Sequence, residues 1–524
     1  MVKSSKLSPY VCFLLAISLG LNLYGIHWGL PNGIRDWAND SLAPLGPLVY
    51  AKHIVFQEPW SSKYPPVHYM VLALLYTPYA LYLYFTGGLT SPTGVYPYGL
   101  EDPEFSLMVF TLIARLTSVV MGTGTVLVNY YTVKNLYGHR AGVVSALLIA
   151  SSYAVIYYSH NANIDVPQLF WTSLALYHFV LLLKTYATKH YVWLGLFTAL
   201  AIGTKDSIAA LFPGLLLPLL YYHLQHEMTA GRRCLSALCH RKLLYGFSAF
   251  VIMFILAFNL PFNWQGFGEH VQFHLGRSVK GSMIIRESAS VLQGDIRIIV
   301  KSFYYLLQAN GLPAFLLLLG GVVYCLVRFP TTCWVLLPIV TYYLFFLRAY
   351  VTVHLRYLLP VYLIFTWQAG KFAADLLDSR KIPRLLSTIV LLLIFAHALA
   401  YGFSLDLLLC RDSRYAAEAW MRKHIPDEAT VIALGPDYGL PRFPAGMQVR
   451  RLLSRGRTRV SQEWRDIDPD YFVLDMSLPG RANQKSSLYQ HFQEQGYRPV
   501  ASFKSESPFF GVDLFHAVNP EIVI

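Results

Sequence analysis

Asp36 and Asp40 sit four residues apart in the stretch GIRDWANDSLAP, directly after the first long apolar run of a 524-residue chain. A carboxylate there can take a proton as a general base. Two at i,i+4 would share one helix face and could bind a cation. Pro31, Gly33 and Pro44 oppose a long helix, so a solvated acidic loop is the plain alternative. Further along, SSKYPPVHY places Lys63 before two prolines that fix an extended entry into an apolar segment. This lysine either snorkels or meets a lipid phosphate. In YSHNANIDVPQLF, Asp165 opens an apolar run, where its charge suits a helix N-terminus. His160, Asn161 and Asn163 crowd the same corner. Arg115 (LIARLTSVV), Lys205 (GTKDS), His274 and Arg277 (FHLGRSVKG) and His354 and Arg356 (VHLRYLLPVY) complete the set. Each basic residue alone reads as a loop charge or a snorkeller. Together with the aspartates they suit a phosphate-bearing substrate and a base.

The elements that position these groups are mostly membrane spans. The chain is 55% hydrophobic and only 14% charged. Ordinary soluble domains carry about 25% charged residues. Runs of the ~20 apolar residues that a spanning helix needs centre on 9–28, 105–130, 141–160, 165–184, 243–260, 312–328, 333–350, 357–377 and 384–405. The block 191–224 is long enough for two helices broken at GTKDS. This predicts a polytopic α-helical membrane protein with about eleven transmembrane helices. The run 67–88 carries Pro78 and many tyrosines, which favour the interface. Leaving it in the outer leaflet puts Lys134, Arg140, Lys184, Lys189, Arg232, Arg233, Arg241, Lys242, Arg328, Arg380, Lys381 and Arg384 inside, as the positive-inside rule expects. The residues of the preceding paragraph then gather on the outer face, apart from Arg115, which lies within its span.

Residues 1–408 form the expected membrane domain, with a first outer loop over 29–104. Residues 409–524 read as a small soluble α/β domain outside the membrane. DSRYAAEAWMRKH reads as a helix capped by Asp412. ATVIALG, DYFVLD, RPVASF and GVDLFHAV read as strands, and SSLYQHFQEQGY as a helix. The N-terminus, basic and then apolar, reads as an uncleaved anchor with its start inside the cell. The net charge of +13 is explained by orientation in the membrane, and nucleic acid is not an expected partner. The six cysteines show neither a disulfide pair nor zinc-site spacing.

In their order, these motifs resemble the GT-C superfamily of polyprenyl-phosphate-dependent glycosyltransferases. The branches they resemble are the protein O-mannosyltransferases and the lipid A aminoarabinose transferases. WANDSLAP is similar to the family's Trp-x-x-Asp-Glu, which aligns Asp40 with the catalytic aspartate and puts Ser41 at the glutamate. KYPPVHY is similar to a Lys/His-Pro-Pro stretch leading into a non-spanning segment. NIDVPQLF resembles the second acidic corner, GTKDSIAAL a Thr-Lys-Gly turn, HLGR a His-x-x-Arg of the large outer loop, and HLRYLLPVY the late basic motif.

The resemblance implies transfer of a sugar from a polyprenyl-phosphate donor to a protein, lipid or glycan hydroxyl at the outer face of an inner membrane. Asp40 and Asp165 would be catalytic, with Asp40 as the base and inversion at the sugar. Lys63, Arg115, Lys205, His274, Arg277, His354 and Arg356 would bind the leaving phosphate. Asp36 and His160 are secondary candidates, with Asp36 shaping the loop. The resemblance fixes no cofactor. A divalent cation is compatible, although Ser41 weakens any metal site borrowed from the family. The rival readings are a transporter or lipid flippase, which would favour internal repeats and broken helices at the midplane, and an assembly scaffold.

Overall fold

The computed structural model describes residues 8–524, apart from 33–35, 56–63, 91–96, 231–233, 288–290, 330–333, 351–352, 445, 452–468, 477–491, 493, 495 and 507–517. At 55, 234–235, 277–287 and 291 it describes the backbone alone. The N-terminal helices are α1 (Pro9–Leu23), α2 (Gly46–Val55), α3 (Val67–Thr86), α4 (Pro103–Tyr137), α5 (His139–Ala150) and α6 (Tyr153–Ser159). Next come α7 (Asp165–Thr185), α8 (Thr188–Thr204), α9 (Pro213–Thr229), α10 (Cys234–Leu238), α11 (Arg241–Ala257) and α12 (Trp264–Glu287). The series ends with α13 (Val291–Arg328), α14 (Leu337–Tyr342), α15 (Arg348–Tyr350), α16 (Leu359–Asp378), α17 (Arg384–Cys410) and α18 (Ser413–His424).

The apolar runs expected to span are mostly helical over their described residues, with non-helical residues at 24–28, 151–152 and 258–260. Among those residues, five helices are long and apolar enough to cross a membrane, or six if α5 and α6, bent by 58°, form one span. The other apolar helices are shorter or more polar, so length and composition establish a polytopic helical protein rather than a number of spans. The run 67–88, which charge parity leaves in the outer leaflet, is one of the five. The expected break in 191–224 is a 3₁₀ turn, Asp206–Leu211, between α8 and α9.

The chain divides into two compact units, one of residues 1–23, 45–81 and 113–402, the other of 24–44, 82–112 and 403–524. In the first unit, helices approach closely where side chains are absent. A Cβ on Gly195 of α8 would lie 2.2 Å from the Gly246 carbonyl oxygen of α11. Small residues allow such contact between apolar helices. Polar side chains add cross-links: Trp367 Nε1 donates to Asn129 Oδ1 at 2.6 Å, and Asn129 Nδ2 donates to Ser145 Oγ at 2.8 Å.

The second unit contains a five-stranded sheet of β1 (Thr430–Leu434), β2 (Gln448–Arg451), β3 (Tyr471–Asp475), β4 (Ser502–Phe503) and β5 (Ile522–Val523), in the order β2-β1-β3-β5-β4. The first three strands are parallel, while β5 runs antiparallel to β3 and β4. Successive strand residues point to opposite faces. Val431, Ala433 and Val473 therefore pack with Ala417 and Met421 of α18, while Ile432, Leu434, Phe472 and Leu474 pack on the other face with Phe492. The Asp412 side chain caps α18 by accepting from Arg414 N at 3.1 Å. Three expected elements are present: α18, β1 and β3. The expected strand in RPVASF shrinks to Ser502–Phe503. GVDLFHAV lies outside the described residues but for Val518, and SSLYQHFQEQGY mostly so. Strands β2 and β5 have no counterpart in the sequence reading; β2 is too polar and β5 too short to signal itself.

Candidate functional site

In the first unit, the expected groups collect where helices end. Asp165 is the first residue of α7, and Ile164 occupies the cap position. Its charge therefore stands in the first turn, where the helix dipole favours it, and Lys205 also donates to the Asp165 carboxylate in a buried ion pair. Lys205 lies where α8 stops and the 3₁₀ turn begins. An ion pair out of water needs close geometry and further partners to hold both charges. The Lys205 ammonium also lies 4.9 Å from the ring centre of Tyr357. The Arg356 guanidinium lies 5.3 Å from the same ring. Tyr357 thus joins two of the expected phosphate-binding cations.

His160 and Arg115 are both fully buried. The His160 Nδ1–H donates to the Ile156 carbonyl at 2.9 Å. Asn163 Oδ1 accepts from Asp165 N at 3.1 Å, and Ser118 Oγ donates to Asn161 O at 3.0 Å. The crowded corner is thus a built polar turn under Asp165. His354 is exposed, its ring 5.3 Å from that of Tyr357.

His274 belongs to a second cluster. Its Nε2 lies 3.0 Å from Asp206 Oδ2, and His270 Nε2 lies 3.4 Å from the same oxygen. Burial alone would raise the Asp206 carboxyl. Hydrogen bonds from His270 and His274, with the charge of both rings, outweigh burial and hold it well below the ordinary carboxylate range. His274 Nδ1 faces the Tyr350 hydroxyl at 3.1 Å. Asp206 and His270 escaped the sequence reading. The signal was present as the i,i+4 pair HVQFH and as the acid beside Lys205. A second mixed cluster, His223, Glu227 and His240, lies elsewhere in this unit.

In the second unit, Asp36 and Asp40 differ sharply. Asp36 is buried and accepts from Ser41 Oγ at 2.7 Å, whereas Asp40 is exposed in a turn. No helix runs through 36–44, so the two carboxylates do not share a helix face. Trp37, fully buried, holds the loop in place. The Arg414 guanidinium lies 4.1 Å and that of Arg442 5.3 Å from its ring centre, and the Tyr415 ring is 4.9 Å away. Arg414 is itself paired with Asp412, which also accepts from Trp28 Nε1 at 3.0 Å. Gly29, at φ +70°, donates its N–H to the Tyr415 hydroxyl, and a Cβ there would lie 2.8 Å from the Trp37 ring.

Lys63 lies outside the described residues, as does the side chain of Arg277. The structure therefore gathers Asp165, Lys205 and Arg356 about Tyr357, and sets His274 in the Asp206 cluster.

Residues 107–257 match the protein-family model described as dolichyl-phosphate-mannose-protein mannosyltransferase. The matched segment holds Arg115, His160, Asp165, Lys205 and Asp206. Over that segment the chain is similar to this family, whose description names a dolichyl-phosphate-linked donor. The family model covers less than half of the chain, and no curated protein matches. Among solved structures, the chain is similar to ArnT from Cupriavidus metallidurans in the apo state, with 14% identity, 98% of this chain and 97% of that chain covered, and a TM-score of 0.49. It is also similar to the archaeal oligosaccharyltransferase AglB from Archaeoglobus fulgidus, in complex with an inhibitory peptide and a dolichol-phosphate. There the identity is 14%, the coverage 82% of this chain and 62% of that chain, and the TM-score 0.46. The Saccharomyces cerevisiae Pmt1-Pmt2 complex bound to the sugar donor has 16% identity, 49% and 34% coverage, and a TM-score of 0.34. This chain thus spans less than two thirds of the archaeal and yeast proteins.

Proposed function

We propose that this chain moves a sugar from a polyprenyl-phosphate carrier to an acceptor hydroxyl on the extracytoplasmic face, with inversion. The supporting observation is the family match over 107–257, which encloses the buried Asp165–Lys205 pair. The carrier's tail stays in lipid while its phosphosugar lies at the surface. The Asp40 carboxylate takes the acceptor's proton. The hydroxyl oxygen forms a bond to the anomeric carbon as the bond from that carbon to the phosphate oxygen breaks. Charge then grows on the departing phosphate. Lys63, Arg115, Lys205, His274, Arg277, His354 and Arg356 are the groups proposed to meet it, since cations aimed at developing charge act on the transition state. Asp165 is catalytic by holding Lys205, and Asp36 and His160 are supporting residues. No step is routed through a metal, because the acceptor motif has Ser41 where the resemblance would place a second carboxylate. In this reading, residues 1–408 are the catalytic membrane domain of an inner-membrane protein, the N-terminus is cytoplasmic, and residues 409–524 are extracytoplasmic. The acceptor is a hydroxyl of a protein, lipid or glycan.

The test uses the purified chain, a set of radiolabelled polyprenyl-phosphate sugars and a membrane extract as acceptor source. Label should move from the acid-labile carrier phosphate into a product stable to mild acid, and Arg356→Ala should lower turnover and not only raise the apparent KM. Label that crosses the bilayer with no new glycosidic bond for any donor would establish a transporter instead.

A further inference from the structure

We infer that Asp206, His270 and His274 form a binding site for one divalent transition-metal ion of the zinc class. The inference does not depend on sugar transfer, and it assigns His274 to the ion rather than directly to the phosphate. It begins with spacing: His270 and His274 stand four residues apart on α12, so both imidazoles leave the same helix face, their ring centres 4.6 Å apart. Both direct Nε2 at one carboxylate oxygen, Asp206 Oδ2, at 3.4 and 3.0 Å. Zinc bonds to imidazole nitrogen and carboxylate oxygen are about 2.0–2.2 Å, which sets tetrahedral ligand atoms roughly 3.3 Å apart. The observed separations straddle that value, and the ligand atoms of all three residues lie within 4.8 Å of one another.

The surroundings favour the same use. His274 Nδ1, the nitrogen turned away from Asp206, faces the Tyr350 hydroxyl at 3.1 Å. A partner on the second ring nitrogen orients a metal-binding imidazole and raises its basicity. His270 is buried, while Asp206 and His274 are half-buried, and the Nε2 atoms of both imidazoles are themselves buried. Three protein ligands leave one tetrahedral position for a water or an anion. Two imidazoles with one carboxylate select zinc, cobalt or nickel over magnesium or calcium, which prefer oxygen. The cluster of His223, Glu227 and His240 is less suited. His223 Nε2 faces the Ala237 carbonyl at 3.0 Å, and its Nδ1 faces the hydroxyls of Tyr191 and Tyr186 at 2.8 and 3.0 Å. Both of its nitrogens are engaged by protein.

The experiment is metal binding by the untagged full-length chain in detergent, stripped with a chelator and titrated with Co²⁺ and Zn²⁺. Elemental analysis should return one equivalent of zinc, and Co²⁺ should give visible absorption that Zn²⁺ abolishes. Asp206→Asn and His274→Gln should each weaken binding by about 100-fold or more, since even outer-shell partners are worth about 10–100-fold. Tyr350→Phe should weaken it by about tenfold. His223→Ala should bind as the unaltered chain does. Asp206→Asn is nearly isosteric, so it carries the test if His274→Gln fails to fold. Absence of stoichiometric metal, wild-type affinity in Asp206→Asn, or loss confined to His223→Ala would overturn the inference and leave the trio an ion pair.

Discussion

The Ser41 hydroxyl donates to the buried carboxylate of Asp36 across 2.7 Å, within the loop that presents Asp40 to solvent. One aspartate of the pair is committed to the loop's own structure. The other stands at its surface, where an acceptor can approach.

Asp40→Asn should therefore abolish transfer while the protein folds and inserts normally. Asparagine keeps the size and a hydrogen-bonding end but takes no proton. A loss of about 10²–10⁴-fold in turnover matches removal of a general base. Ser41→Ala should instead act through stability and loop order, since a hydrogen bond to a charged group is worth about 1.5–3 kcal/mol. Initial rates with one competent donor separate the two. Full activity in Asp40→Asn with loss in Asp36→Asn would reverse the assignment.

The Asp165–Lys205 pair makes a prediction about coupling. Asp165→Asn leaves a buried ammonium without its counter-charge, and Lys205→Met leaves a buried carboxylate. Either should cost about 3–5 kcal/mol. The double variant should recover much of that loss. Thermal unfolding in detergent of the four proteins of the cycle measures the interaction. Simple additivity would mean that the two charges do not depend on each other.

The second unit predicts sensitivity in the contacts that hold the loop bearing Asp40. Arg414→Ala strips the cation from Asp412 and from the Trp37 ring together, and about 3–5 kcal/mol should be lost. Gly29→Ala should also destabilise, because φ is +70° and the new Cβ meets the Trp37 ring at 2.8 Å. Limited proteolysis should then cut between 24 and 44 faster than in the unaltered chain. Unchanged cutting in both variants would show that these contacts do not hold the loop.

Orientation is tested with single cysteines in a chain whose own cysteines are replaced. Labels at Tyr98 and at Lys423 should react from outside the cell, and one at Asn135 should not. Reaction at Asn135 with protection at Tyr98 would make α3 a span.

Local signals were legible in the sequence, and long-range ones were not. Asp412 announced itself as a cap because capping needs only the next few residues. Lys205 and Asp165 were both found, but as separate workers. Their pairing depends on α7 and α8 folding back so that residues forty apart meet, which periodicity does not encode. The His270–His274 pair carried a helical spacing, yet without Asp206 opposite it looked like an ordinary polar face. Tyr357 gave no sign at all. A tyrosine in an aromatic-rich chain acquires meaning only when two cations are found over its ring. The short strand β5 failed for the opposite reason, having too few residues for any pattern.

Trp28 reaches its partner Asp412 across 384 residues of chain, and Gly29 reaches Tyr415 across 386. A ribosome adding ~5–20 residues per second needs roughly 20–80 s to cover that gap. During that interval the loop bearing Asp40 has been made but lacks the arginines and tyrosine that pack around Trp37. The order of manufacture thus delays the loop's final shape until the far end of the chain has emerged. A message cut short before Asp412 would yield a protein with its membrane helices and its Asp40, but without the residues that close over Trp37. Translation itself acts as a timer on when this surface can first be assembled.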